Sequence, residues 1–276
     1  MFWQARLRTV VPSIGMGFLI VTLTALAAAA LTLFSGFGLG TLLMPAFAVF
    51  FPLPVAVAAT AVVHLANNLF KLALVGRDTN WRVAWRFGVP AALAALVGAA
   101  LLQATSVLPV LAEYRLGERI CQVTWLKLAM AAVIIGFAVY ELHPRWSKVA
   151  FDAKWLPWGG VVAGFFGGLS GHQGALRTAF LLRAGLTKEA LIATGVVGAV
   201  IVDTVRLAVY GAGFYGGLFV LLDSHAWTLV GAASGAAFLG SFLGAKLVQK
   251  VTLRRVQTTC AGLLIILALL LAAGLV

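Results

Sequence analysis

The stretch GFFGGLSGHQGALRTAF, residues 164–180, sets His172, Gln173 and Arg177 among small residues. Arg177 follows Gln173 by four positions, so in a helix starting near Gly174 the two share a face. A guanidinium presents a planar fork of donors that matches the oxygens of an oxyanion. A helix beginning after the glycines also offers its N-terminal N–H groups and positive dipole end to an anion. Gly167, Gly168, Ser170 and Gly171 are small enough to let a ligand approach the backbone. Two further groups have the right types. HLANNLFK places His64, Asn67 or Asn68, and Lys71 on one stripe, and DTVR places Asp203 and Arg206 three residues apart. Each group also has a purely structural reading. The glycines suit close helix packing, Asp203 and Arg206 an ion pair, Lys71 snorkelling to the interface, and His64 an ordinary helix hydrogen bond. Arg183 and Lys188 read as loop charges.

The elements that must position these residues are membrane helices. Of the 276 residues 62% are hydrophobic and 10% charged, and mean hydropathy is +1.05. A soluble domain carries about 25% charged residues. Apolar runs of about 20 residues recur along the length, as spanning helices require. The fold class is therefore an all-α polytopic membrane protein of about eight transmembrane segments, embedded in the lipid bilayer. Net charge is +12, from 20 Lys and Arg against 8 Asp and Glu, and much of it falls in short loops, where it fixes orientation. No soluble domain remains to carry a basic patch, so nucleic acid is not expected as a partner. Cys121 and Cys260 belong to no metal or redox motif and read as small packing residues. Arg6 and Arg8 before the apolar run 14–34 imitate a signal peptide, but the run is long and leads into a repeat.

That repeat is visible when SGFGLGTLLMPAFAVFFPLPVAVAAT (35–60) is set beneath LSGHQGALRTAFLLRAGLTKEALIAT (169–194). Both have a Gly-rich break, a short apolar stretch, a turn, and a helix starting near A-x-x-A-T. Thr60 matches Thr194, Gly40 matches Gly174, and Lys71 falls one residue out of step with Arg206. Each half then carries a small-residue helix and ends on a plain apolar helix, about 123–142 and 256–276. The expected organisation is a first repeat over 1–142, a cytoplasmic linker over 143–156 and a second repeat over 157–276. Internal repeats of this kind mark secondary transporters. Trp81, Trp85, Trp146, Trp155 and Trp158 read as interfacial anchors.

Loop charges suggest that the halves are inverted. Arg77, Arg82 and Arg86 follow the second helix of the first half, whereas the matching loop GAGFYGGLFVLLDSH has no Lys or Arg. The next loop reverses the pattern: Glu113, Arg115, Glu118 and Arg119 cancel, and Lys246, Lys250, Arg254 and Arg255 do not. Inversion needs an odd number of full spans per half. The pieces flanking each break read as roughly 10–13 residues, too short to span. Two re-entrant hairpins, near 23–50 and 157–184, each followed by three spans, satisfy this. The price is that Arg6 and Arg8 lie outside unless the first run spans completely. Non-helical backbone at membrane depth must be buried or line a wet cavity, so each break argues for a pocket.

These two motifs resemble the TauE/SafE family of sulfite exporters, also called the TSUP transporters, and the likeness covers nearly the whole chain. It rests on SGFGLGTLLMPAF with PLPVAVAAT, and on GGLSGHQGALRTAFLLRAGLTKEALIATGVV. The resemblance implies two four-helix repeats, each opening with a Gly-rich motif, and movement of sulfite or organosulfonates across the cytoplasmic membrane, coupled to an ion gradient. The chain departs from the family run, which is closer to G-x-G-G-G. Leu39 interrupts it in the first half, and His172 and Gln173 replace its middle glycines in the second, with Arg177 added.

The expected function is a secondary transporter or exporter of a small anion: sulfite, a sulfonate, or a related sulfur-containing or carboxylate anion. The substrate-binding candidates are Ser35, Gly36, Gly38, Asn67, Asn68, Ser170, Gly171, His172, Gln173 and Arg177. His64, Lys71, Asp203 and Arg206 are candidates for proton coupling or ion pairing, as is His172, because imidazole titrates near working pH. The alternatives are an anion channel and an intramembrane enzyme acting on a lipid headgroup. Against an enzyme, the chain has no HExxH, no GxSxG and no paired carboxylates. No cofactor is expected. The small-residue faces suit packing within one chain or between two copies.

Overall fold

The computed structural model describes residues 14–32, 39–106, 108–117, 119–143, 145, 149–214, 224–247 and 253–275. Arg6, Arg8, Ser35, Gly36, Gly38, Glu118, Trp146 and Lys250 lie outside them, as do residues 215–223 of the uncharged loop. Among the described residues are α1 (Ile14–Thr32), α2 (Leu39–Ala48), α3 (Leu53–Val75), α4 (Trp81–Ser106), β1 (Val110–Leu116), β2 (Arg119–Thr124), α5 (Trp125–Leu142), α6 (Leu156–Ser170), α7 (Gly174–Leu181), α8 (Lys188–Phe214), α9 (Ser224–Leu247) and α10 (Leu253–Ala272). Among the described residues four stretches are long and apolar enough to cross a membrane: Leu53–Asp78, Trp81–Ser106, Lys188–Ala212 and Ala226–Gly244. Gly17–Ala30, Trp125–Tyr140 and Ala261–Ala272 are apolar but shorter.

The second break makes a helical hairpin whose ends meet, whereas the first, residues 33–38, lies outside the described residues. α6 has 15 residues and α7 has 8, so at 1.5 Å per residue neither reaches the roughly 30 Å of a hydrocarbon core. The chain entering α6 returns to the end of α7. Phe151 N donates to Ala179 O at 3.0 Å, Phe151 stacks on Phe180 with ring centroids 4.3 Å apart, and Asp152 faces Arg183 at 3.7 Å. In the first half, Gly17 near the start of α1 is closed by Phe50 just beyond α2. At 19 residues α1 is longer than the 10–13 expected of each piece. α3 and α8 start two or three residues before their A-x-x-A-T motifs, near them as expected. Pro52 and Pro54 open α3, and Thr187 caps α8 by accepting from Ala190 N at 3.3 Å.

α4 lies along α6 and α8, α1 along α9, α3 along α8 and α9, and α5 along α10. Small residues set the α4–α6 seam. Gly160, Gly164 and Gly168, one turn apart on α6, press on the backbone of Phe87, Ala91 and Ala95, one turn apart on α4. A Cβ at any of the three would overlap a carbonyl oxygen, and Gly98 of α4 meets Phe165 O in return. The α1–α9 seam is similar, with Gly240 and Gly244 against the carbonyls of Leu26 and Ala30. Lipid supplies no hydrophobic drive between helices, so close backbone approach takes its place.

The expectation of an all-α chain needs one correction. The segment read as a charged loop is an antiparallel hairpin, β1–β2, turning at Gly117 with φ +63°. Val110, Leu111, Tyr114 and Ile120 give it β-formers between charges. It rests on the end of α10, where Tyr114 Oη donates to Ala273 O at 2.5 Å. Cys121 is buried there, as a packing residue should be. Trp81, Trp85, Trp155 and Trp158 are exposed, the arrangement interfacial anchors require.

Candidate functional site

One carboxylate organises the polar interior. Asp203, on α8, is 0% exposed and takes partners on both oxygens. His64 Nδ1 lies 2.6 Å from Oδ2; since a carboxylate only accepts, that nitrogen carries the proton. Asn68 Nδ2 donates to the same oxygen at 3.3 Å. Arg206 Nε donates to Oδ1 at 3.0 Å, and Gln173 Nε2 donates to it at 3.3 Å. Arg206 Nη2 stands 2.8 Å from Oδ1 as an ion-pair contact outside hydrogen-bonding geometry. Three elements thus converge on one charge: α3 through His64 and Asn68, the α6–α7 break through Gln173, and α8 itself. The cluster is nearly sealed, since Arg206 is also 0% exposed.

Arg206 closes the break from behind. Its Nη1 donates to Gly167 O at 3.4 Å and lies 2.8 Å from where a Cβ of Gly171 would stand. Gly171 ends α6 with φ +81°, a left-handed conformation that glycine adopts without strain, and its N–H reaches Gly167 O at 3.0 Å. Tyr210, one turn past Arg206, donates its hydroxyl to Gly168 O. The glycines expected to admit a ligand are therefore occupied by protein. Gly168 is closed by the Ala95 backbone, Gly167 by Val202 and Gln173, and Gly171 by the Arg206 guanidinium.

Arg177 is placed differently. α7 begins at Gly174, as its sequence predicts, and Arg177 Nη1 donates to Gln173 Oε1 at 3.2 Å. Gln173 is thus a bridge: its amide nitrogen serves Asp203 and its oxygen serves Arg177. The Arg177 stem runs across α8, with Cδ and Nε beside Gly198 and Gly195. Among the described residues no carboxylate lies within 4 Å of Arg177, which is only partly buried.

The remaining candidates divide. His172 is buried and stacks on Phe137 with centroids 5.5 Å apart. Ser170 Oγ gives its proton to Phe166 O at 3.0 Å, so at 3.1 Å it accepts from His172 Nδ1. That leaves His172 Nε2 buried with no hydrogen-bond partner among the described residues. Asn67 turns away from Asp203: its Oδ1 accepts from Ser241 Oγ of α9 at 2.8 Å, and its Nδ2 has no partner among the described residues. Lys71 is 9% exposed and makes no hydrogen bond or ion pair among them. Tyr210, Ser241 and Phe137 were not singled out from the sequence. Tyr210 had a signal, since Asp203, Arg206 and Tyr210 follow i, i+3, i+7; the other two had none. Among the described residues no group of His, Cys, Asp and Glu could hold a metal ion.

The fold and this interior define a polytopic helical membrane protein whose paired hairpins surround a buried polar cluster. The model of the TauE/SafE sulfite exporter family matches residues 21–271, and the chain belongs to that family. It is a family of sulfur-anion transporters. No curated protein and no solved structure matches the chain.

Proposed function

We propose that this chain is a secondary transporter that exports a small oxyanion, sulfite, a sulfonate or a related sulfur or carboxylate anion, across the cytoplasmic membrane. The observation that carries this reading is the state of Arg177. Its described partner is the neutral oxygen of Gln173, and no carboxylate lies within 4 Å among the described residues. An ionised side chain at membrane depth faces a cavity and takes a partner. Arg177 retains donors for an anion, and Gln173 aims them. Asn67 Nδ2 is a further donor with no partner among the described residues, and His172 Nε2, an acceptor while Nδ1 holds the proton, becomes a donor when the ring is protonated. Asn68 and Gly171 are committed to the framework, and Ser170 anchors His172.

The two-repeat organisation supports alternating access about this site. α1–α5 and α6–α10 follow the same order, a broken pair and then three helices. Exchanging the halves maps the α4–α6 contact onto α9–α1 and leaves α3–α8 and α5–α10 unchanged. On this reading α1–α2 and α6–α7 are the re-entrant hairpins. Proton coupling falls to the His64–Asp203 pair, which Gln173 links to Arg177, or to His172, the residue before Gln173.

The test is flux of sulfite and of a small organosulfonate into liposomes holding the full chain, under pH gradients of both directions. Saturable uptake that follows the gradient supports the carrier. Uptake that neither saturates nor responds to the gradient shows a channel instead.

A further inference from the structure

The anion site described above has one cation, and α3 carries a second, Lys71, which is buried. α3 and α8 run antiparallel. His64 of α3 meets Asp203, and further along Asn80, just past α3, donates its N–H to Thr194 Oγ1 at 3.1 Å. Lys71 falls between these two contacts, so it is level with the α8 turn that carries Gly195 and Gly198. The Arg177 stem crosses that turn: its Cδ lies 3.3 Å from where a Cβ of Gly198 would stand, and its Nε lies 3.6 Å from the corresponding point at Gly195. Direction agrees with level. Lys71 is seven residues after His64 and three after Asn68, and both of those side chains point at α8. Lys71 and Arg177 also lie within electrostatic reach of each other.

Lys71 is nine-tenths buried, with no hydrogen bond or ion pair among the described residues. The carboxylate nearest in the network, Asp203, is already matched by Arg206 and His64. Two like charges facing each other without a counterion are costly, and the cost is removed by an anion between them. We propose that Lys71 is the second cation of the anion site and that it makes the site select doubly charged oxyanions over singly charged ones. Arg177, from the second half, would supply the directional fork, and Lys71, from the first half, a point charge. The anion would then hold α3 and α7 together. This inference rests on the anion-site reading and adds a charge rule to it.

Sulfate and methanesulfonate test it, because they share an S–O₃ face and differ by one charge. Their affinities for the purified full chain would be titrated at fixed ionic strength, for wild type, Lys71→Gln, Lys71→Met and Lys71→Arg. Wild type is expected to bind sulfate roughly tenfold or more tightly than methanesulfonate, because its second charge meets Lys71 in a site where attraction is less screened than in bulk water. The Gln and Met variants should weaken both anions but sulfate more, narrowing the ratio by roughly threefold or more, because the double charge feels Lys71 twice as strongly, and the Arg variant should keep it. A wild type that binds both anions equally, a ratio preserved in either neutral variant, or equal weakening of both ligands would overturn the charge rule. These outcomes leave the anion site standing. Absence of binding by either anion to folded wild type overturns both.

Discussion

The α4–α6 seam and the Asp203 cluster share helix α6 but use it in opposite ways. On one side Gly160, Gly164 and Gly168 bring two backbones into contact, with no polar side chain between them. On the other, the same helix ends at Gly171 and hands over to Gln173, where polar groups from three elements meet. The seam fixes where α6 lies against α4, and the cluster fixes where α6 stops. A glycine-rich motif in a membrane helix is therefore not one signal. Gly160, Gly164 and Gly168 serve packing and Gly171 serves the turn, and on the proposed reading the residues that meet an anion are those placed just after it.

The comparison can be broken from either side. The largest stability effect is expected at Asp203→Ala, which strands the Arg206 charge and leaves His64 and Gln173 without their acceptor. Loss of one member of a buried ion pair costs about 3–5 kcal/mol, so Asp203→Ala should fall sharply in a detergent unfolding titration, with Asp203→Asn falling less. Next is Gly164→Leu. Its side chain has only the Ala91 backbone to enter, so the seam must open at a cost of roughly 3 kcal/mol. Its folded remainder should keep the anion preference of wild type, which separates packing from chemistry. His172→Gln should leave the fold intact. If His172 carries the coupling proton, this variant flattens the pH dependence of flux; an unchanged profile assigns coupling to His64–Asp203. The smallest stability loss is expected at Tyr210→Phe, which removes one buried hydrogen bond to Gly168 O and should cost about 1 kcal/mol in the same titration.

Much of this division can be read from the chain, because helical periodicity fixes faces. The start of α7 at Gly174, the Gln173–Arg177 contact and the shared direction of His64 and Asn68 all follow from spacing. Periodicity does not name the neighbour across a face. The His64–Asp203 contact spans 139 positions, and Asn67 bonds Ser241 174 positions away. Nothing local announces either. The glycines were ambiguous for the same reason: whether a missing side chain leaves room for a ligand or for another helix depends on what lies opposite. The charges of the β1–β2 hairpin resemble those of a loop and mask its alternation of Leu, Tyr and Ile with Glu and Arg.

The central claim is that Arg177 holds the anion while the Asp203 cluster holds the protein. The most direct measurement is sulfite flux into liposomes for wild type and Arg177→Ala, normalised to folded protein, beside the unfolding midpoint of each. Arg177→Ala is expected to lose flux by roughly a hundredfold, the scale of a lost charged contact of about 3 kcal/mol, with its midpoint close to wild type. Flux that survives the substitution, or a loss of flux that merely tracks a loss of folded protein, would contradict the account.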